Sequence, residues 1–359
     1  MKRILLISFL LATLLSKAQL NYEYGFEYKQ KVGILLAHHE IMAHIANSLS
    51  YAGELSFYIH TKGKEKWHKS YRYPTYGISI FGASLGNDSI LGKSLGLYPF
   101  IELPFIRKQH FVFSARIGAG LGYISKRYDK DLNPKNVAMS SAINALITVG
   151  LKSTYLYKSH EISFGVDMTH LSNAAFKMPN LGINLPYFSL AYGYTIKHQL
   201  KDTLIIEPIV PKKRWLFGTT LIASAKENSP TGGEKYPIFA LSLHARRFFN
   251  AKTGLELAVD VISKQSLRGL QQDIPKSELD LIQIGLFAGY LLPLDQFHFV
   301  LGMGAYVRDK FNADGRLYHR IGMRYYFKNG INTQLVLHSH WGRADFAELG
   351  IGYTFNQKK

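Results

Sequence analysis

Apolar residues alternate with small or charged ones along much of this chain, most clearly between Phe111 and Tyr123. Odd positions in that segment are apolar or aromatic, whereas even positions include Ser114, Arg116 and three glycines. Because successive side chains of a β-strand point to opposite faces, the segment predicts a strand with one apolar face that is closed by aromatic rings at both ends. That pattern is typical of a transmembrane barrel strand. A strand of a soluble sandwich also alternates, so the inference depends on how often the pattern recurs.

The pattern recurs in two sets of eight segments. The first set is predicted near 31–45, 50–60, 70–85, 94–106, 110–125, 138–157, 160–172 and 186–197. The second set is predicted near 214–226, 236–249, 253–264, 279–293, 297–309, 317–328, 331–341 and 347–355. A closed barrel is the one sheet form that spans a membrane without unpaired edges. We therefore predict an all-β fold, a transmembrane antiparallel β-barrel, built either as two eight-stranded barrels or as one barrel of about sixteen strands.

The N-terminus has the composition of a secretory signal. Lys2 and Arg3 precede an apolar run from Ile4 to Leu15, and Ser16-Lys17-Ala18 places small residues where a signal peptidase reads them. Cleavage after Ala18 is the prediction. The alternative is an uncleaved anchor helix, for which this run is short against a span of ~20 residues. No other segment approaches ~18 continuous apolar residues, so a helical membrane protein is not expected.

The segment from Lys197 to Arg214 contains prolines and several charges. Periplasmic turns of barrels are usually short, so a connection of this length indicates two modules. We predict a signal peptide at 1–18, a first barrel at 19–197, a linker at 198–213 and a second barrel-like half at 214–359. Because it combines a signal peptide with transmembrane barrels, the chain is predicted to be exported to the cell outer membrane.

Charge and cysteine content limit the partners and the chemistry. The formal net charge is +18 and the chain has no cysteine. A strongly basic chain suits an anionic partner such as nucleic acid, phospholipid or lipopolysaccharide, and export argues against nucleic acid. The absence of cysteine excludes disulfide and thiolate chemistry. A phosphorylated glycolipid is therefore the expected partner.

The two halves resemble each other weakly. The segment Thr169–Ala174 is faintly matched by Ser339–Ala344, which indicates a diverged duplication. In the second half, Gly342 and Arg343 stand where the first half has a Ser-Asn pair. We therefore predict that the second half is non-catalytic.

The seventh predicted strand carries the candidate chemistry at its end. Its even positions from Ile162 to Met168 are apolar and should face lipid, and His170 and Ser172 continue that face. Polar groups on a lipid-facing surface are costly unless they lie near the interface. A serine becomes nucleophilic when an imidazole takes its proton, and Asn173 can donate a hydrogen bond to a developing oxyanion. These residues predict attack on an ester within the bilayer.

The stretch from His170 to Asn184, which includes Pro179-Asn-Leu-Gly182, resembles the PagL-type lipid A 3-O-deacylases. The resemblance covers roughly residues 25–197. It implies an eight-stranded outer-membrane barrel whose active site lies on the outer wall, with Ser172 as the nucleophile and His170 as the base.

The same resemblance assigns Asn173 to the oxyanion hole and places the family's acid, a glutamate, at Asn184. The chain departs from the family pattern at that position, since an asparagine can accept a hydrogen bond from imidazole but supplies no charge. Asn184 shares its parity with Phe188 and Leu190, so it is expected on the face that carries the site.

The resemblance implies lipid A, or lipopolysaccharide, as substrate in the outer membrane, with no nucleic acid partner. No cofactor and no metal ligand are predicted, and any metal dependence stays open. Phosphates of the lipid are expected near Lys177 and other basic loop residues. The alternative is a non-enzymatic barrel that serves as a pore, a scaffold or a degenerate homologue. A phospholipid substrate stays open, as do the acyl position and the chain length.

A histidine-rich segment offers a second site hypothesis. His38, His39, Glu40 and His44 suggest a metal site, but the zinc-protease pattern needs His-Glu-x-x-His on a helix. Here the last histidine is one position too far and the expected context is a strand. Structural or interfacial histidines are therefore the favoured interpretation.

Overall fold

The chain forms two closed antiparallel barrels of eight strands each in a computed structural model. The structure describes residues 23–196, 214–228, 231–269 and 277–355. The prediction of an all-β barrel fold is confirmed. Of the two arrangements that the sequence left open, the structure has two eight-stranded barrels and not one barrel of about sixteen strands. The signal segment 1–18 and the linker 198–213 lie outside the described residues, so their bounds stay predictions.

The first barrel is a meander in which each strand pairs with the next and β8 closes onto β1. Its strands are β1 Glu23–Ile34, β2 Leu49–His60, β3 Thr75–Ser84, β4 Lys93–Arg107, β5 Phe111–Ile124, β6 Ile143–Tyr157, β7 His160–Ser172 and β8 Ile183–Ile196. The helix α1, Lys66–Ser70, lies between β2 and β3, and a 3-10 segment, Glu40–Ile45, lies between β1 and β2.

The first predicted strand, 31–45, was wrong, because β1 occupies Glu23–Ile34 instead. Glu27, Lys29 and Lys31 of β1 point into the barrel, and these charges hid the alternation on which the prediction relied. The apolar residues that attracted the prediction belong to the 3-10 segment, where Met42 and Ile45 are fully buried.

The second barrel has the same meander, closed by pairing between β16 and β9. Its strands are β9 Trp215–Glu227, β10 Lys235–Asn250, β11 Thr253–Lys264, β12 Ile282–Leu294, β13 Phe297–Arg308, β14 Leu317–Tyr326, β15 Ile331–His340 and β16 Arg343–Thr354. Further 3-10 segments are Gln265–Gly269 and Glu278–Leu281. Within the described ranges, no helix is both long and apolar enough to cross a membrane.

Each barrel is apolar outside and polar inside. Phe164 and Leu190 of the first barrel, and Leu221 and Ile351 of the second, are exposed on the outer wall. The lumen of the first barrel contains a connected network of four cations and four carboxylates, which are Lys29, Lys31, Arg116, Lys152, Glu27, Glu54, Glu102 and Asp167. Side chains fill an eight-stranded barrel of this size, so the network closes the lumen at mid-height.

The two barrels contact each other at both ends. At the end where β7 finishes, the backbone N–H of Glu227 donates to the carbonyl oxygen of Ala175 at 3.1 Å. At the opposite end, the Tyr71 hydroxyl donates to the carbonyl oxygen of Pro293 at 2.7 Å. The barrels therefore lie side by side, and the end where β7 finishes is called the site end below.

Candidate active site

His170 and Ser172 lie on the outer wall of the first barrel, at the end of β7. Along this strand, the apolar residues of even number are exposed, whereas Glu161, Ser163 and Thr169 are buried in the lumen. His170 and Ser172 share the parity of the exposed residues, and Ser172 is 9% exposed. The alternation along the strand thus aims both side chains away from the lumen.

Asn184 lies directly across from His170, because the register of β7 and β8 pairs these two residues. Cross-strand neighbours on one face are close enough to interact, and His170 Nδ1 lies 2.6 Å from Asn184 Oδ1. An amide oxygen only accepts hydrogen bonds, so the contact puts the proton on Nδ1 of His170. The other ring nitrogen, Nε2, is then left unprotonated, as a general base requires.

His38 extends this contact to a third residue. The Asn184 side-chain amide nitrogen lies 3.2 Å from His38 Nδ1, and His38 Nε2 lies 3.0 Å from the carbonyl oxygen of Leu181. The carbonyl oxygen of Leu36 also lies 3.2 Å from His38 Nδ1, but a proton on that nitrogen would leave both Asn184 and Leu181 without a matching partner. With the proton on Nε2 instead, His38 donates to Leu181, Asn184 donates to His38 Nδ1, and His170 donates to Asn184. His38 therefore fixes which end of the Asn184 amide faces His170.

Sequence reasoning did not assign His38 to this site. It lies 146 residues from Asn184 along the chain, in the connection that follows β1. No spacing rule links positions that far apart. The only sequence signal was the excess of histidines at 38, 39 and 44, which suggested a metal.

Gly182 packs against the His170 and Ser172 side chains. A Cβ added to Gly182 would lie 3.0 Å from His170 Cε1 and 3.7 Å from Ser172 Cβ, and its φ of +81° suits glycine. Among the described residues, no hydrogen bond joins the Ser172 hydroxyl to His170. Catalytic hydrogen bonds are often long in unliganded enzymes and tighten with substrate.

The Asn173 side chain organises the loop that follows Ser172. Its amide nitrogen donates to Ser141 Oγ at 2.8 Å and to the carbonyl oxygen of Lys177 at 2.9 Å, and its backbone N–H donates to Asn180 Oδ1 at 3.0 Å. These contacts occupy the donors that an oxyanion hole would use. The predicted oxyanion role of Asn173 stays a prediction, and it would require these contacts to open.

The backbone after Asn173 is strained. Ala174 and Ala175 have φ values of +52° and +61°, in a region that residues with a Cβ rarely adopt. Such conformations persist where the surrounding structure enforces them, and they cluster at functional sites. The Phe176 N–H closes the turn onto the Asn173 carbonyl oxygen at 3.1 Å.

His170 and Ser172 line a cavity of ≈ 710 Å³ that lies between the two barrels at the site end. Residues of the second barrel, including Lys264, Trp341 and Arg343, form its other wall. The sequence predicted a site on an open barrel wall, whereas in the structure the second barrel forms the facing wall of the cavity. Lys177, which was expected near a phosphate, is not among the lining residues, so that contact stays a prediction.

A second cavity, of ≈ 600 Å³, opens into the first lumen at the opposite end and is lined by His60, Arg107 and Glu161. His60 Nε2 there lies 2.9 Å from Glu161 Oε1 and His60 Nδ1 lies 2.7 Å from Thr75 Oγ1. Both ring nitrogens are thus engaged, and this cavity brings together none of the sequence-predicted site residues.

The histidine segment does not form the metal site that was considered. His38 contacts Asn184, whereas His44 Nε2 lies 2.9 Å from the carbonyl oxygen of Lys135. The one group with metal-ligand geometry in the described part of the chain is His338, His340 and Asp345, inside the second barrel.

That second-barrel group is a poor cation site. Asp345 already pairs with two ammonium groups, those of Lys226 and of Lys264, the latter at 2.6 Å. These charges repel a metal ion, so the chain fits no metal at this position.

Two family models match the chain. One, described as lipid A 3-O-deacylase (PagL), matches residues 51–195, and the other, described as acyloxyacyl hydrolase, C-terminal domain, matches residues 215–357. The second match spans the second barrel, whereas the first begins within β2 and leaves β1 and the connection that carries His38 outside the matched residues. Among curated proteins, none matches the chain significantly.

Several solved structures align with the chain at low similarity. The crystal structure of the outer membrane enzyme PagL aligns at 19% identity over 47% of this chain and 99% of that one, with a TM-score of 0.34. A mutant of the Rh. blastica porin aligns at 11% identity over 92% and 99%, and Acinetobacter baumannii Omp33 at 6% over 93% and 99%, each with a TM-score of 0.19. These scores are too low to support a functional comparison.

Proposed function

Because the chain belongs to the family of the PagL-type lipid A 3-O-deacylases, we propose that it is an outer-membrane esterase that removes an ester-linked acyl chain from lipid A. The observation that carries the proposal is the placement of His170 and Ser172 on the outer wall of a closed barrel, with Asn184 bonded to the imidazole. A serine in that position meets membrane lipid rather than the contents of the lumen.

The proposed reaction is acyl transfer through serine. His170 Nε2 takes the proton of the Ser172 hydroxyl while Ser172 Oγ attacks the ester carbonyl carbon. The tetrahedral intermediate collapses, the ester C–O bond breaks, and the imidazolium gives its proton to the departing sugar oxygen. Water then attacks the acyl-serine with His170 again as the base, which releases the fatty acid and restores Ser172.

Asn184 and His38 hold His170 in its working tautomer by the chain of contacts described above. A carboxylate at position 184 would also stabilise the imidazolium that forms during the reaction. The asparagine orients the ring without that charge, so we expect slower turnover than a carboxylate in the same place would give.

The substrate assignment has two supports besides the family. If β1 begins at the periplasmic side, the odd-numbered strands run outward and the end of β7 lies in the outer leaflet, where lipopolysaccharide is found. The chain's net charge of +18 also suits an anionic glycolipid.

The alternative of a non-enzymatic barrel has one observation in its favour, which is the asparagine at position 184. An open pore is not supported, because ion pairs such as Arg116–Glu54 at 2.7 Å and Lys152–Glu102 at 3.0 Å fill the first lumen. The placement of Ser172 in a cavity and the strained loop beside it favour a catalytic role.

The test is mass spectrometry of lipid A from cells that express the full chain or a variant. Loss of a hydroxyacyl mass is expected with the intact chain and not with Ser172→Ala. The matched control is Ser339→Ala, which removes a serine next to a histidine at the same end of the second barrel and should leave hydrolysis intact. Lipid A that stays unchanged with the intact chain, or hydrolysis that survives Ser172→Ala, would contradict the proposal.

A further inference from the structure

The turn between β15 and β16 holds a tryptophan where its backbone does not suit one. Trp341 and Gly342 have φ values of +48° and +84° and join the paired residues His340 and Arg343. A two-residue hairpin turn with both φ values positive favours Asn-Gly, and a bulky residue with positive φ is an outlier. An asparagine at position 341 would therefore satisfy this turn better than the residue that is present.

The Trp341 ring packs little against the barrel, so packing does not compensate for the strain of the turn. It is 71% exposed, and its ring contact within the described residues is an edge-on approach to His319 at 5.0 Å between centroids. It lines the cavity that contains His170 and Ser172. The strained turn thus places an exposed aromatic ring on the wall of the cavity that contains the proposed nucleophile.

Arg343, two residues further on, presents a charged surface to the same cavity. Its side chain is 70% exposed and forms an ion pair with Asp314 through one terminal nitrogen. Although burial opposes it, the Lys264 ammonium 2.9 Å away holds the pKa of Asp314 below its usual value, so this carboxylate stays charged and positions the guanidinium. A guanidinium has five N–H donors, and those not used by Asp314 are left for a ligand.

We propose that Trp341 and Arg343 bind the sugar-phosphate head of the lipid substrate while its acyl ester reaches Ser172. The tryptophan offers a flat surface for a sugar ring or an acyl stem, and the arginine fork matches the geometry of a phosphate. The second barrel then forms the specificity wall of a site whose chemistry belongs to the first. This inference rests on the proposed function, because it assigns the head group of the same substrate.

Steady-state kinetics of the full chain in detergent micelles with bisphosphorylated lipid A test the binding wall. Trp341→Asn and Arg343→Ala should each raise KM about tenfold, which corresponds to about 1.4 kcal/mol, and leave kcat within about twofold. Thermal stability of Trp341→Asn should equal or exceed that of the parent, because asparagine fits the turn. Arg308→Ala is the matched control, since Arg308 is an exposed arginine at the site end of the same barrel that does not line the cavity.

Lipid A from which the phosphates have been removed tests the role of Arg343. The intact chain should lose about tenfold in affinity for this lipid, whereas Arg343→Ala should bind both lipids equally. A binding measurement distinguishes failure of this inference from failure of the proposed function. Fluorescent lipid A is titrated into Ser172→Ala protein with and without each further substitution, because binding to this protein does not depend on catalysis. If Trp341→Asn and Arg343→Ala bind lipid A as tightly as the Arg308→Ala control, the inference is overturned even where Ser172-dependent hydrolysis is observed.

Discussion

The two barrels carry histidines at the same end but aim them at different surroundings. In the first barrel, His170 lies on the outer wall with Ser172, and its partner is the Asn184 amide. In the second barrel, His338 lies in the lumen, with Tyr306 at 2.8 Å from Nε2 and Glu348 at 3.1 Å from Nδ1. The second barrel thus pairs a buried histidine with a carboxylate but exposes neither to lipid.

A change of one residue in strand phase accounts for the difference. Moving the register by a single position turns every side chain of a strand to the other face. Even-numbered residues of β15, such as Gln334 and His338, are buried in the lumen, whereas even-numbered residues of β7 face outward, so the two strands have opposite phase at their histidines. Histidine and serine at a strand end are therefore not sufficient for lipid chemistry, since the face on which they lie decides what they meet.

The largest expected effect separates the two histidines. His170→Ala should lower the rate of lipid A deacylation by about 10³-fold, the usual worth of a general base. His338→Gln should leave the rate per folded molecule unchanged, because that side chain is confined to the second lumen. The rates are measured on purified protein whose folded fraction is known from its heat-modified mobility. Equal losses in both variants would mean that the two barrels do not divide the functions as described.

A smaller effect is expected from two matched glycines. Gly182→Ala and Gly342→Ala each place a Cβ on a backbone with positive φ, +81° and +84°, at a cost of about 1–2 kcal/mol. Only Gly182 would also press on His170, since nothing lies within 4 Å of a Cβ at Gly342. We expect Gly182→Ala to lose activity on the order of 10²-fold, because small displacements of a catalytic group are costly.

The measurement for this pair is kcat beside the unfolding midpoint of each variant. Similar midpoints together with a loss of kcat only in Gly182→Ala are expected. A similar fall of kcat in Gly342→Ala would argue that backbone strain, and not the approach to His170, explains the result.

The smallest expected effect on kcat comes from changing the residues that hydrogen-bond His170 directly or through Asn184. His38→Ala should lower kcat about tenfold with KM little changed, because the Asn184 amide is then free to turn its nitrogen toward His170. Asn184→Glu should raise kcat, because His170 would then have a carboxylate partner, as His338 has in Glu348. In the Asn184→Glu background, His38→Ala should have little further effect, because a carboxylate accepts a hydrogen bond in either orientation.

This pair of results is checked by a double-mutant cycle on kcat. Coupling between positions 38 and 184 is the expected outcome. If His38→Ala costs the same factor in both backgrounds, His38 acts on the fold and not through the orientation of Asn184.

Much of the site was accessible from the sequence because alternation is a local property. The parity of Ile162, Phe164 and Val166 with His170 and Ser172 indicated the outer wall before any coordinates, and β7 begins and ends where it was predicted. The same reasoning failed for β1, where lumen charges interrupt the apolar pattern. Strand bounds were thus predictable where outward residues are apolar and inward residues are small.

The sequence by itself determined which side of β7 faces lipid, because the alternation of side chains depends only on the pleat of the backbone. The tertiary structure alone decided that Asn184 lies opposite His170, that His38 contacts the Asn184 amide, and that Trp341 and Arg343 line the cavity that contains Ser172. Register, barrel closure and the contact between barrels each join residues that are far apart in the chain. The alternation of side chains along one strand contains no information about such long-range contacts.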